Sequence, residues 1–226
     1  MKTKILSAAV IALVISACNT QNDTTVQNEG TPAVGSENTT AAPVAQKGKY
    51  VSKSGIVTYE TETMGMKGIS TLYYDDFGNK EATETESEME MMGTKASMHN
   101  IVINKEGFSY DIDLNEKTGT KTQLITGSST TNNMDFSAMT DDMMQKMHVK
   151  KEGSQDFLGK KCDIYTMDDK GSQMKGKYYI YNNIPLKMDM TMGGMEIKMI
   201  ATKFEDNVNV PASKFDIPAN IKFTEM

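Results

Sequence analysis

The stretch KMDMTMGGMEIKM, residues 187–199, decides the fold. Apolar and polar residues alternate on both sides of Gly193-Gly194, and a Gly-Gly pair favours a two-residue primed turn. That register places Met192 opposite Met195, Met190 opposite Ile197 and Met188 opposite Met199, so these six share one face. The other face sets Asp189 against Lys198 and Thr191 against Glu196, as cross-strand chemistry prefers. A slip of one residue would turn the methionine face to water, so the register is strongly specified.

The same period of two continues outward. Val57, Tyr59, Thr61 and Thr63 alternate in a first strand, and Ile69, Thr71 and Tyr73 in a second. Asp75-Asp76-Phe77-Gly78-Asn79 signals the turn to a third, residues 80–92, which carries Glu81, Glu84, Glu86, Glu88 and Glu90, most of them read as solvated. Residues 97–104 make a fourth strand, and Lys105-Glu106-Gly107 turns the chain. Phe108, Tyr110, Ile112 and Leu114 then alternate with Ser109, Asp111 and Asp113, and a further strand covers 120–125. Downstream strands fall at 160–167 and 175–181. Residues 127–133 read as polar loop. Phe136, Met139, Met143 and Met147 recur at helical spacing, with Thr140 before Asp141-Asp142 as a good N-cap, which predicts one helix over 136–148. The expected fold is mainly β (α+β): a curved antiparallel meander or open half-barrel with one short covering helix.

The amino-terminal end carries an address. Lys2 and Lys4 precede an apolar run over 5–17, too short to span a bilayer and fitting a signal peptide. Ile15-Ser16-Ala17-Cys18 resembles the bacterial lipobox, which implies removal of 1–17 and acylation of Cys18 by chains such as palmitate. Cleavage leaves 209 of the 226 residues and removes two lysines and no acid, so the net charge moves from −6 to −8. Residues 18–48 lack aromatics, Leu, Ile and Met. They are the lipidated Cys plus a flexible tether, followed by a single β-rich domain over 49–226.

Composition excludes several functions. All 24 basic residues are Lys, so no guanidinium fork exists to clamp phosphate or carboxylate. The acidic balance argues against nucleic acid as a partner. With Cys18 acylated, Cys162 is the one thiol left, and no internal disulfide forms. Its place on an alternating strand beside Ile164 reads as a small buried side chain. Nucleophile elbow, Cys-X-X-Cys, phosphate-loop and His-Glu-X-X-His patterns are all missing, so no catalytic residue is assigned and no cofactor is expected.

Phe157-Leu158-Gly159-Lys160-Lys161-Cys162-Asp163-Ile164-Tyr165, then Tyr178-Tyr179-Ile180-Tyr181, Ile184-Pro185-Leu186-Lys187, Ala201-Thr202-Lys203-Phe204-Glu205 and Phe215-Asp216-Ile217-Pro218 follow in a characteristic order. With Ile103-Asn104-Lys105-Glu106-Gly107 ahead of Phe108-Ser109-Tyr110-Asp111, this order resembles uncharacterised envelope lipoproteins related to the LolA/LolB-like lipoprotein carriers, over roughly 50–222. The resemblance implies a strongly curved antiparallel sheet with helix over its mouth and a cavity for acyl chains. Unlike the soluble carrier, this chain carries an anchor motif. It has no Arg, so any Arg-based latch does not transfer.

Twenty methionines admit three readings: core filling, an adaptable wall for an apolar ligand, and soft thioether ligands for Cu(I). The hairpin alternation by itself accounts for the Met-X-Met spacing. No metal site is assigned. His99 and His148 stand without an evident cluster, and His148 sits well at a helix C-terminus. Asp111, Asp113 and Asn115 begin like a calcium loop, but Glu116 and Thr122 break the pattern. The expectation is a non-catalytic bacterial envelope lipoprotein held to a membrane through Cys18, on the outer membrane facing periplasm or cell surface. It binds a lipid, acyl chain or envelope partner, with Met188, Met190, Met192, Met195, Ile197 and Met199 as ligand wall. The alternatives are an interaction surface without ligand, and Cu(I) binding.

Overall fold

A computed structural model describes residues 48–91, 94–124, 136 and 139–225. The signal segment, Cys18, the tether up to residue 47, the loop 127–133 and Met92 lie outside the described residues.

The first six strands are β1 (Gly55–Thr63), β2 (Met66–Asp75), β3 (Lys80–Met91), β4 (Thr94–Lys105), β5 (Phe108–Asp113) and β6 (Thr118–Gln123). One helix, α1 (Asp141–Lys146), separates them from β7 (Val149–Phe157), β8 (Lys160–Asp169), β9 (Met174–Tyr181), β10 (Ile184–Met192), β11 (Met195–Asp206) and β12 (Lys222–Glu225). They form one open sheet in the order β12-β6-β5-β4-β3-β2-β1-β11-β10-β9-β8-β7. Two antiparallel meanders, β1–β6 and β7–β11, are therefore zipped together by pairing β1 with β11. The expected mainly β class holds, with a single short α-helix among the described residues.

Among the described residues, five hairpins turn in two residues that both have positive φ: Met64-Gly65, Glu106-Gly107, Leu158-Gly159, Asn182-Asn183 and Gly193-Gly194. Primed turns of this kind match the right-handed strand twist. At Gly193-Gly194 the register is the one expected, with Met192 opposite Met195, Met190 opposite Ile197 and Met188 opposite Met199.

One strand escaped sequence reading. In β7, VKKEGSQDF, nearly every side chain is exposed, so no alternation marks it. It is an edge strand, interrupted by a register shift between Lys151 and Gly153, and its lysines suit an edge that must not pair further. At the opposite edge β12 runs parallel to β6, Lys222 pairing with Thr118.

The sheet is packed on both faces at its centre. Val57, Tyr59, Leu72 and Tyr74 join Ile184, Leu186 and Ala201 in one core. The alternate residues Ile56 and Tyr73 contribute to another, where Ala82, Ile101, Ile103 and Ile112 pack against Val210 and Phe215 of the carboxy-terminal segment. Each fully buried aliphatic side chain here stabilises the fold by about 1.5–3 kcal/mol over an exposed one.

Candidate functional site

The methionine face divides along its length. Met188 and Met190 are buried, Met192, Ile197 and Met199 are half-buried, and Met195 at the turn is exposed. The Tyr178 hydroxyl donates to Met190 Sδ at 3.2 Å, which engages that thioether inside the protein. Phe136 covers the same region, its ring centroid 4.7 Å from that of Tyr165 and 5.3 Å from that of Tyr178.

The helix is shorter than its sequence period predicts. Phe136 lies in a turn ahead of α1, not in it. Thr140 caps the helix as expected, its hydroxyl oxygen accepting from Met143 N at 3.3 Å, and His148 at φ 52° ends the turn. Met143 points to solvent at 45 % exposure, while Met139, Met144 and Met147 are half-buried. The periodic pattern thus misplaces Met143, while Met144, outside that pattern, is half-buried.

Between this cover and the sheet lies a recess of about 500 Å³. Its apolar lining is Val51, Phe136, Met139, Met144, Tyr165 and Ile180, and its polar rim is Lys151, Asp163, Asn182 and Asn183. The size falls within the range of about 300–1,000 Å³ common to small-molecule sites. None of the six expected wall residues lines it; they stand on β10 and β11, further along the sheet.

Residues 48–53 supply Val51 to the recess lining and are tied to the rest of the domain by backbone hydrogen bonds. Tyr50 N donates to Phe77 O at 2.9 Å, Phe77 N to Lys53 O at 2.8 Å, and Asn183 Nδ2 to Lys49 O at 2.9 Å. Glu81 is an exception among the mostly solvated acids expected on β3. Glu81 is buried, and its carboxylate accepts from Lys49 Nζ at 2.8 Å, from the Tyr50 hydroxyl and from Asn104 Nδ2 at 3.4 Å. Burial, with the Glu81 charge beside it, pushes the Tyr50 hydroxyl well above the ordinary tyrosine range, so it stays a donor. Lys49 and Tyr50 sit 32 and 31 residues before Glu81, a separation no local pattern reveals.

The histidines also have neighbours that the sequence hides. His99 Nε2 lies 2.9 Å from Glu84 Oε1 and 3.7 Å from Glu86 Oε1, because β3 and β4 pair Glu86 with His99. These three offer a metal-like cluster, but Lys214 Nζ already stands 3.1 Å from Glu84 Oε2 and supplies the positive charge. His148 Nε2 lies 4.0 Å from Asp169 Oδ1. Cys162 is fully buried, and burial raises its thiol pKa, so Lys160 and Lys161 do not activate it. Asp113 Oδ1 accepts from the backbone N–H of Asn115 and of Glu116 at 2.9 Å each, which makes it a turn cap.

No family model and no curated relative matches the chain. Solved structures align with the chain at low identity and with TM-scores below 0.5. An uncharacterised conserved protein from Thermus thermophilus is 10% identical, aligning 78% of this chain with 92% of its own at a TM-score of 0.47. MucB in complex with MucA is 9% identical, at 75% and 56% coverage and a TM-score of 0.46, so the chain spans little over half its length. A putative outer membrane lipoprotein-sorting protein domain from Vibrio parahaemolyticus is 11% identical, at 73% and 89% coverage and a TM-score of 0.32.

Proposed function

We propose that this protein is a membrane-anchored envelope lipoprotein that binds an acyl chain or similar apolar ligand and catalyses no reaction. The observation that carries the reading is the recess under Phe136 and α1, where apolar and polar groups share the lining about equally. Its cover is small, and its lining mixes flexible Met139 and Met144 with the rings of Phe136 and Tyr165. Met side chains adapt to irregular partners, and rings add large contact area at low entropic cost. Cys18 is the attachment point in this reading, and the tether lets the domain work away from the membrane surface.

Native mass spectrometry of the full chain, released from non-ionic detergent, tests the binding. The expected mass exceeds that of the acylated chain by one lipid, and Phe136→Asp abolishes the excess. A homogeneous species with no excess mass, in protein purified from its own host, ends the ligand reading. Cys18→Ala tests the anchor: the protein moves from the membrane to the soluble fraction and no longer incorporates a palmitate analogue.

The interaction-surface reading has one observation in its favour. Ile69 and Ile200 flank Glu60 across neighbouring strands and are 48% and 38% exposed. Their replacement by Ser leaves lipid binding intact and removes any partner captured through that face.

A further inference from the structure

The registers of β8 to β11 put every methionine of these four strands on one face of the sheet, the face on which Phe136 packs. Lys175, Lys177 and Lys187 stand on the opposite face, so no ammonium of β9 or β10 shares the methionine side. That side has two parts. Met188 and Met190 are buried, and the Tyr178 hydroxyl engages the sulfur of Met190. They serve the core. At the end of the strands Met192 stands opposite Met174 of β9 and also opposite Met195 of β11, which makes a row of three methionines across three strands. Met174 and Met192 are half-buried and Met195 is exposed, so the row is open to solvent.

Alternation along one strand accounts for Met-X-Met spacing, but not for this row. Residues two apart on a strand lie about 6.6 Å from each other. Directly opposed residues have Cβ atoms about 4.5–5.5 Å apart, so the row brings its thioethers closer than the strand does. Met174 belongs to the β8–β9 hairpin, and the other two flank the Gly193-Gly194 turn. The two ends are tied together where the row lies: Gly193 N donates to Gln173 O at 3.2 Å. The backbone frame is therefore fixed, while each unbranched side chain has the torsional freedom to turn its sulfur toward a common point. Asp169 of β8 is opposite Met174, but its carboxylate already accepts from Gly171 N at 2.9 Å and from the Ser172 hydroxyl at 2.5 Å. The donors left to the row are three sulfurs.

We infer that Met174, Met192 and Met195 hold a Cu(I) ion on their three thioethers. Soft sulfur donors without charge select Cu(I), whereas carboxylates, carbonyls and water suit harder cations. The inference stands apart from the acyl-binding reading, because none of the three lines the recess under Phe136. Cys162 offers no competing soft ligand. It is fully buried, and burial keeps its thiol protonated.

The test uses the full chain in non-ionic detergent under anaerobic conditions, with Cu(I) presented as its coloured bicinchoninate complex. The chain is expected to withdraw one Cu(I), and equimolar Zn(II) leaves that uptake unchanged. Met174→Leu/Met192→Leu/Met195→Leu conserves side-chain volume, so the fold is kept. Its affinity for Cu(I) falls by roughly 10–100-fold or more, since loss even of groups behind the ligands costs that much. Met167→Leu/Met188→Leu, on the same face but buried, binds as the wild type does. Circular dichroism melts show that both variants are folded, and X-ray absorption at the copper edge of the loaded wild type, expected to show sulfur ligation, needs no variant. Failure of the wild-type chain to withdraw Cu(I) overturns the site. So does wild-type affinity in the triple variant, which places the ion elsewhere on the chain. Displacement of the copper by Zn(II), or an absorption spectrum dominated by nitrogen and oxygen, overturns the thioether assignment.

Discussion

The two meanders solve the same packing problem with different materials. In β1–β6 one buried face is Ala82, Ile101, Ile103 and Ile112, closed by Val210 and Phe215 of the carboxy-terminal segment. β-Branched Ile has few rotamers and fits a pleated surface closely. In β7–β11 the buried positions include Met167, Tyr178, Met188 and Met190, and the cover is Phe136 with a six-residue helix. Unbranched Met bends to fit whatever lies against it. The first half is built to hold one shape, and the second is built to accommodate. The recess beside α1 belongs to the second.

Mutations that exchange these properties sharpen the contrast. The largest effect is expected at Ile103, which is fully buried: Ile103→Ala destabilises by about 2–5 kcal/mol in chemical denaturation. Phe136→Ala loses two ring contacts, each worth about 0.5–1.5 kcal/mol beyond its buried area, while it removes lipid retention in native mass spectrometry. Met188→Leu conserves volume and costs under about 1.5 kcal/mol. If it costs as much as Ile103→Ala, the second half is as rigidly packed as the first and the contrast fails. Thr140→Ala removes the cap of α1 and costs about 1 kcal/mol, seen as faster hydrogen exchange over 141–146 with the β1–β6 amides unchanged.

The smallest effect is electrostatic and lies in the rigid half. Burial works to raise the Glu84 pKa, but hydrogen bonds from His99 and Lys214 prevail and hold it below its ordinary value. A carboxyl group with a depressed pKa in the folded state stabilises fully above its unfolded pKa, and loses that contribution as pH falls through the folded one. Glu84→Gln therefore lowers the melting temperature slightly at pH 7, and the difference from wild type shrinks as pH falls below about 4. A difference that grows on acidification would show that the pair does not stabilise the native state.

Local pattern made much of this fold legible. Alternation and turn chemistry specify the Gly193-Gly194 hairpin to the residue, because register and turn type depend on neighbours in the chain. The same reasoning puts Asp111 and Asp113 on the alternating strand β5, buries Cys162 and caps α1 with Thr140. It misses β7, whose edge position leaves no buried face to alternate, and it overextends the helix by counting Phe136 and Met143 into its apolar stripe.

The site was scarcely legible, and the reason is distance along the chain. By itself the sequence determined the two meanders, their turns, the apolar alternation and the likeness of residues 15–18 to a lipidation motif. Tertiary structure decided that β1 pairs with β11, that Glu81 is buried beneath Lys49 and Tyr50, and that His99 meets Glu84 and Glu86. It also decided that the pocket belongs to Phe136 and Met144 and that Met174 stands in one row with Met192 and Met195. Short-range geometry follows from residue type and backbone sterics. Which distant faces meet depends on how a twelve-stranded sheet curves and on which segments are left to cover it.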